Sequence, residues 1–322
     1  MRRLKRFAAP IGYASTVALF GGLVWRSGPV HVASALNEAA FSLVLLAVAL
    51  SWLGQMIMAL KWWRALSDLG VAESYWRLLG LNLAGQLWNL LIPGHVGSEV
   101  YRGGRLAAGG VGLLPIGSAA IIDRLTNVLA TALVGVAAVI LLNGSSLVAQ
   151  TTLGLAMLVL APALCYVLLR QSWLARLLRA VARVASRRGR HAAPAEAVTW
   201  VLEHPGELAS YQGLALLAQL VAVLSLVACA YAFAIPLSMP QVGAALIASS
   251  FLPYLLPVPG ATLAIQQGGF LYLVIRMGAS PDHASALAIT TLAVVLLFGA
   301  IGAVLEGNHA LRQRRVRLRS AA

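Results

Sequence analysis

The chain has 322 residues, 60% of them hydrophobic and only 11% charged, and its mean hydropathy is +0.83. No soluble surface accommodates that composition, so the chain reads as an all-α, polytopic integral membrane protein without room for a separate extramembrane catalytic domain. Its 24 basic against 10 acidic residues give a net charge of +14. Those basic residues stand in blocks beside apolar stretches, as the positive-inside rule expects, which favours lipid headgroups over nucleic acid as the partner.

Arg2, Arg3, Lys5 and Arg6 precede a first apolar stretch, Phe7 to Trp25. It resembles a signal peptide but reads as a retained span, being of span length and ending in bulky Trp25 and Arg26 with no small-residue cleavage site. About 20 residues at 1.5 Å rise cross the hydrocarbon core, and Ala39 to Leu60 forms the second such stretch. Lys61 to Ser74 follows, with Lys61, Arg64, Asp68 and Glu73 interleaved with Trp62, Trp63 and Leu66; this mixture predicts an interfacial cytoplasmic segment. Tyr75 to Ile92 carries Asn82, Gln86 and Asn89, spaced by four and three and hence on one helical face. Pro93-Gly94 then ends the helix. A short, one-sidedly polar and Pro-Gly-broken segment fits a re-entrant element. A kinked span whose amides attach it to its neighbours is the alternative.

Leu113 to Leu142 is the next long segment and holds Asp123, Arg124 and Asn127; after the turn Asn143-Gly144-Ser145-Ser146, Leu147 to Leu169 returns to the cytoplasm. From Arg170 to Arg190 arginines alternate with apolar side chains such as Trp173, Leu177 and Val181, predicting a basic amphipathic helix on the anionic inner leaflet. Ala209 to Ala234 is a further span. Gln241 to Leu256 and Ala261 to Met277 are shorter pieces separated by Pro257-Val258-Pro259-Gly260, and Ala284 to Leu305 closes the membrane region before a tail with Arg312, Arg314, Arg315, Arg317 and Arg319.

With both interrupted regions re-entrant, six crossings remain, and every basic block falls on the cytoplasmic side, both termini included, in a cell (inner) membrane. One transmembrane domain results: a first half over about 1–169, a basic linker over 170–208, a second half over about 209–305 and a tail over 306–322. The broken hairpin opens from the cytoplasm in the first half and from outside in the second, the pattern of an inverted repeat. Cys165 and Cys229 lie inside apolar spans, where packing is their expected role. The sequence is compatible with a homo-oligomer and implies no cofactor and no metal site.

Glu99 and Asp123 stand in an otherwise apolar region, each with an arginine close by, Arg102 and Arg124. Charge at membrane depth is expensive and marks function. Pro93, Gly94 and Gly97 in the first break, and Pro257, Pro259 and Gly260 in the second, free backbone amides; a helix restarting there aims its positive end inward, where it could hold a phosphate. This pattern suits a translocase for a polar-headed lipid. Arg102 and Arg124 would contact the anionic head, Glu99 and Asp123 would orient them or bind a proton or cationic moiety, and Asn82, Gln86, Asn89, Gln266 and Gln267 would line the path. The competing class is an intramembrane enzyme with Glu99 or Asp123 as general base and His95, four residues from Glu99, as partner; a noncatalytic lipid-binding subunit is a third. The scattered histidines and the lack of a nucleophile or metal-ligand motif favour the non-enzymatic reading.

The stretch Pro93-Gly94-x-x-Gly97-x-Glu99-x-x-Arg102, with Asp123-Arg124 about twenty residues later, resembles the lysylphosphatidylglycerol synthase transmembrane family, the flippase-like domain of multiple peptide resistance factor proteins. The resemblance covers roughly Trp52 to Leu305. It implies a lipid-translocating helical bundle with inverted hairpins and polar cavities, and does not imply lysyl transfer, which in those proteins belongs to a separate soluble domain. One departure stands out: where the family's second break reads like Pro-Gly-Gly-x-Gly-x-Arg-Glu, this chain has Ile265-Gln266 in place of the Arg-Glu pair.

Overall fold

The computed structural model describes residues 25, 29–91, 96–142, 200, 203–255 and 262–320. The expected Leu147 to Leu169 span, the Arg170 to Arg190 helix, His95, Pro93, Gly94, Pro257, Pro259, Gly260 and, except for Trp25, the first span lie outside the described residues.

In chain order the helices are α1 (Pro29–Glu38), α2 (Phe41–Asp68), α3 (Tyr75–Leu91), α4 (Gly97–Ala108), α5 (Leu113–Leu141), α6 (Pro205–Ala232), α7 (Met239–Leu255), α8 (Thr262–Arg276) and α9 (Pro281–Ser320). No strand occurs among the described residues. Among the described residues four helices are long and apolar enough to cross a membrane: Phe41–Asp68, Leu113–Leu141, Pro205–Ala232 and Pro281–Asn308.

Local chemistry explains the helix ends. Pro29, Pro205 and Pro281 each occupy the first helical position, where the missing N–H costs no hydrogen bond. Ser74 and Ser280 cap α3 and α9 by accepting the N–H groups of Arg77 and His283. Before α7 the Ser238 N–H and hydroxyl both donate to Gln241 Oε1, at 2.8 and 3.0 Å, the side-chain-to-backbone half of a capping box. At its far end α6 closes in a Schellman turn: Ile235 N–H reaches the Ala230 carbonyl and Ala234 N–H the Tyr231 carbonyl. The left-handed position there is held by Ala234, at φ 53°, where glycine is usual.

Two boundaries differ from the sequence expectation. α2 does not stop at Leu60 but runs unbroken to Asp68, with Lys61 and Trp62 only 1% exposed rather than at an aqueous interface. Its lysine is charge-compensated inside the protein, so the helix has no reason to end there. Likewise α9 extends through the expected tail to Ser320 and buries Glu306.

The chain forms two compact units. The first takes Met1–Trp52, Leu79–Arg102 and Ala222–Ala322; the second takes Leu53–Leu78 and Gly103–Val221. The core of the first gathers Ala47, Cys229, Phe233, Val242, Leu271, Val274 and Leu287 from α2, α6, the turn after it, α7, α8 and α9. There α2 and α6 are joined by Ser51 and Ser225, 2.8 Å apart, with Ser225 Oγ in turn donating to the Ala47 carbonyl. Small residues let backbones approach and hydroxyls bridge helices where no hydrophobic force distinguishes protein from lipid.

α5, in the second unit, shows the same logic in its facing. Ser118, Ala119, Asp123, Thr126 and Ala130 are buried, whereas Leu125, Leu129, Val136 and Ile140 are exposed. Apart from the buried Ile116, Ile122 and Val134, large apolar side chains look outward and small or polar ones inward, the arrangement that a lipid surround requires.

Candidate functional site

In the first unit α3 and the start of α4 pack antiparallel. A Cβ at Gly97 would run into the backbone carbonyl of Trp88, so only glycine permits this approach. Asn89 Oδ1 accepts the Ser98 N–H at 2.7 Å and so satisfies one of the unpartnered amides at the start of α4. One turn further along α4, and two turns back along α3, Arg102 Nη1 donates to Asn82 Oδ1 at 3.1 Å, with Arg102 3% exposed and Asn82 buried. Trp88 stacks on Tyr101 at 5.5 Å and 15°. Asn82 and Asn89 thus face α4 and bind it. Gln86, on the same face, is half-buried, as is Glu99.

α7 and α8 form a second antiparallel pair in this unit. Gln266 Nε2 donates to Ser250 Oγ at 3.4 Å, Leu252 lies against Gly269, and Gln267 is half-buried.

The second unit holds a buried ion pair between α2 and α5. Lys61 Nζ is 2.8 Å from Asp123 Oδ1, both side chains 2% exposed. The ammonium also donates to Thr126 Oγ1 at 3.1 Å, to the Asp123 carbonyl at 3.4 Å and to Asn127 Oδ1. Thr126 spends its own proton on backbone carbonyls one turn back, that of Ile122 at 2.9 Å and that of Asp123 at 3.1 Å. Arg124, on the adjacent face of α5, is half-buried. Deeper along α5, Gln219 of α6 donates to the Thr131 hydroxyl. Counted along α2, Lys61 lies seven residues before the helix end, or about 10 Å of helix.

Also in this unit, an open cleft of about 340 Å³ is lined by Arg64, Asp68, Gly206, Glu207, Ser210 and Tyr211, where the end of α2 meets the start of α6. Tyr211 donates its hydroxyl proton to Asp68, and Arg64 reaches Ser210 at 3.3 Å.

The structure therefore brings Asn82, Asn89 and Arg102 together around the α3–α4 turn, and gives Asp123 a cation that sequence reasoning did not assign to it. Lys61 was hidden because it follows an apolar run and opens a charged one, which mimics an interface. A usable signal was present: Ala65 and Leu66, four residues beyond Lys61 and Trp62, continue the buried face. Glu306 was hidden in the same way by the basic residues after it.

Buried lysine, aspartate and arginine on helices with bare hydrocarbon outer faces define a multi-pass, all-α membrane protein with polar groups held inside the bundle. The family model described as the lysylphosphatidylglycerol synthase TM region matches residues 13–303, and the chain belongs to that family. The match starts well before Trp52, where the resemblance read from the sequence begins. Membership gives the protein a membrane lipid-related role. Neither a curated protein nor a solved structure matches it.

Proposed function

We propose that the protein is a translocase that moves a polar-headed, phosphate-bearing lipid between the leaflets of a cell membrane. The observation that carries this reading is Arg102, a buried guanidinium on a 12-residue helix only about 18 Å long, too short to cross a bilayer. A fixed cation within a broken helix pair offers a phosphate a binding partner that hydrocarbon does not. In the first unit Arg102 meets the anionic head, Glu99 orients Arg102, and Asn82, Gln86, Asn89, Gln266 and Gln267 supply amides along the route; Arg124 is the second unit's own cation for the head. The acyl chains remain against the apolar outer faces. Asp123, balanced by Lys61, serves the charge balance of the second unit.

Two antiparallel helix pairs, α3–α4 and α7–α8, each joined through a Pro/Gly segment, support a re-entrant, inverted arrangement. The amides of the second pair replace an Arg-Glu pair, so the fixed charge for the headgroup is concentrated in the first. Both termini lie in the cytoplasm, with Arg170 to Arg190 on the anionic leaflet.

Reconstitution into liposomes with labelled phospholipids or polyprenyl-linked sugars tests this. Leaflet exchange is expected with wild type, and slower exchange with Glu99→Gln and Arg124→Ala. Exchange no faster than in protein-free vesicles for every lipid sinks the proposal, and conversion of the label to a new product makes the protein an enzyme instead.

A further inference from the structure

We propose that the cleft between the end of α2 and the start of α6 binds the headgroup of a zwitterionic phospholipid with a primary amine, of the phosphatidylethanolamine type. The cleft measures about 340 Å³ and is lined by Arg64, Asp68, Gly206, Glu207, Ser210 and Tyr211. Ligand sites run from about 300 to 1,000 Å³, so this one suits a headgroup and leaves the acyl chains outside. Its charges single out the ligand. Arg64 and Asp68 stand four residues apart on one face of α2, a spacing at which opposite charges pair. Here Arg64 turns instead to the Ser210 hydroxyl at 3.3 Å and Asp68 accepts the Tyr211 hydroxyl. Among the described residues no ion pair joins Arg64 to Asp68 or to Glu207. A guanidinium and two carboxylates thus share one cleft without neutralising each other, which is the complement of a molecule that carries both signs.

A phosphate diester meets Arg64, the Ser210 hydroxyl and the positive start of α6 at Gly206. A primary ammonium has three N–H donors for Glu207 and for the Asp68 lone pairs that Tyr211 does not use. A quaternary ammonium has no N–H to give, and a glycerol head brings no cation. A Cβ at Gly206 would meet nothing within 4 Å, so the floor of the cleft is open there. The depth of the cleft favours a lipid over a soluble zwitterion. α2 and α6 have 28 residues each, about 42 Å of helix against about 30 Å of hydrocarbon, so their charged ends stand in the headgroup layer. Trp200 stacks on Tyr211 at 5.9 Å and 16°, an aromatic pair of the kind that belongs at that depth. None of the six lining residues belongs to the route assigned to Arg102 and Arg124. A lipid seated here is bound whether or not the protein moves it, so the inference goes beyond the translocase reading and is tested by binding, not by leaflet exchange.

The test is titration of the purified full-length protein, in non-ionic detergent, with acyl-labelled dioleoyl lipids. Phosphatidylethanolamine is expected to bind about fivefold more tightly than phosphatidylcholine or phosphatidylglycerol, the scale of an exposed ion pair. Arg64 and Glu207 are exposed, so Arg64→Gln and Glu207→Gln should melt as wild type does and each lose this preference. Gly206→Leu fills the cleft while keeping its charges and should weaken phosphatidylethanolamine binding as well. Glu203→Gln makes the same charge change at an exposed residue outside the cleft and should leave binding unchanged.

Equal binding of phosphatidylethanolamine and phosphatidylcholine by wild type overturns the proposal. So does a preference that survives in both Glu207→Gln and Gly206→Leu. Displacement of the lipid by soluble O-phosphoethanolamine at equal concentration also overturns it, because the cleft then serves a soluble zwitterion.

Discussion

Lys61 on α2 and Asp123 on α5 meet at 2.8 Å with both side chains 2% exposed. Taking one charge away removes the ion-pair partner of the other inside the bundle, which costs about 3–5 kcal/mol, whereas removing both together costs far less. Lys61→Met and Asp123→Leu are each expected to lower unfolding stability in detergent by that amount. The double substitution Lys61→Met/Asp123→Leu is expected to regain most of the loss, so the two effects are strongly non-additive. Additive losses would show that the two side chains do not depend on each other.

Gly97 and Gly104 lie in the same helix but meet different surroundings. A Cβ at Gly97 collides with the Trp88 backbone, while one at Gly104 meets nothing within 4 Å. Gly97→Ala should therefore force α4 away from α3, at a cost of about 1–3 kcal/mol typical of overpacking. Gly104→Ala should gain up to about 1 kcal/mol from helix propensity. Thermal melts of the two variants check the opposite signs; a neutral Gly97→Ala contradicts the close approach.

Asn89 acts as a helix cap supplied from a neighbouring helix. Its Oδ1 accepts the Ser98 N–H at 2.7 Å, so Asn89→Ala should cost about 1 kcal/mol, as loss of a cap does. Asn89→Asp keeps the acceptor and adds negative charge at the positive end of α4, and should retain most of the stability. Equal losses in the two variants would show that the cap is not what Asn89 contributes.

Arg102 is the residue on which lipid movement should depend most. A hydrogen bond to a charged group is worth about 1.5–3 kcal/mol, so Arg102→Met should slow leaflet exchange in liposomes by about tenfold to a hundredfold. Arg102→Lys should recover only part of the rate, because an ammonium lacks the planar fork of the guanidinium. The same measurement on Asn82→Ala, which removes the 3.1 Å acceptor of Arg102, should give an intermediate rate. An unchanged Arg102→Met rate would take this residue out of the mechanism.

Much of this architecture was legible from residue order. The segments Leu113 to Leu142 and Tyr75 to Ile92 reappear as Leu113–Leu141 and Tyr75–Leu91, and the pieces flanking Pro257 to Gly260 reappear as α7 and α8. The stripe of Asn82, Gln86 and Asn89 was legible as a face, though not what it faced. The role of Lys61 was not legible: charge next to Trp62 and Trp63 looks the same whether it is solvated at an interface or neutralised by a helix 62 positions away.

By itself the sequence determined the class of protein, the extent of its apolar helices and the places where Pro and Gly interrupt them. These properties depend on hydropathy summed over about twenty neighbours and on local backbone restrictions. Tertiary structure alone decided that Asp123 takes Lys61, that Arg102 takes Asn82, and that α5 turns Thr126 inward and Leu129 outward. When almost every residue of a helix is apolar, hydropathy carries no facing signal, and the direction of each side chain is set by which partner across the bundle can satisfy a charge or admit a close backbone.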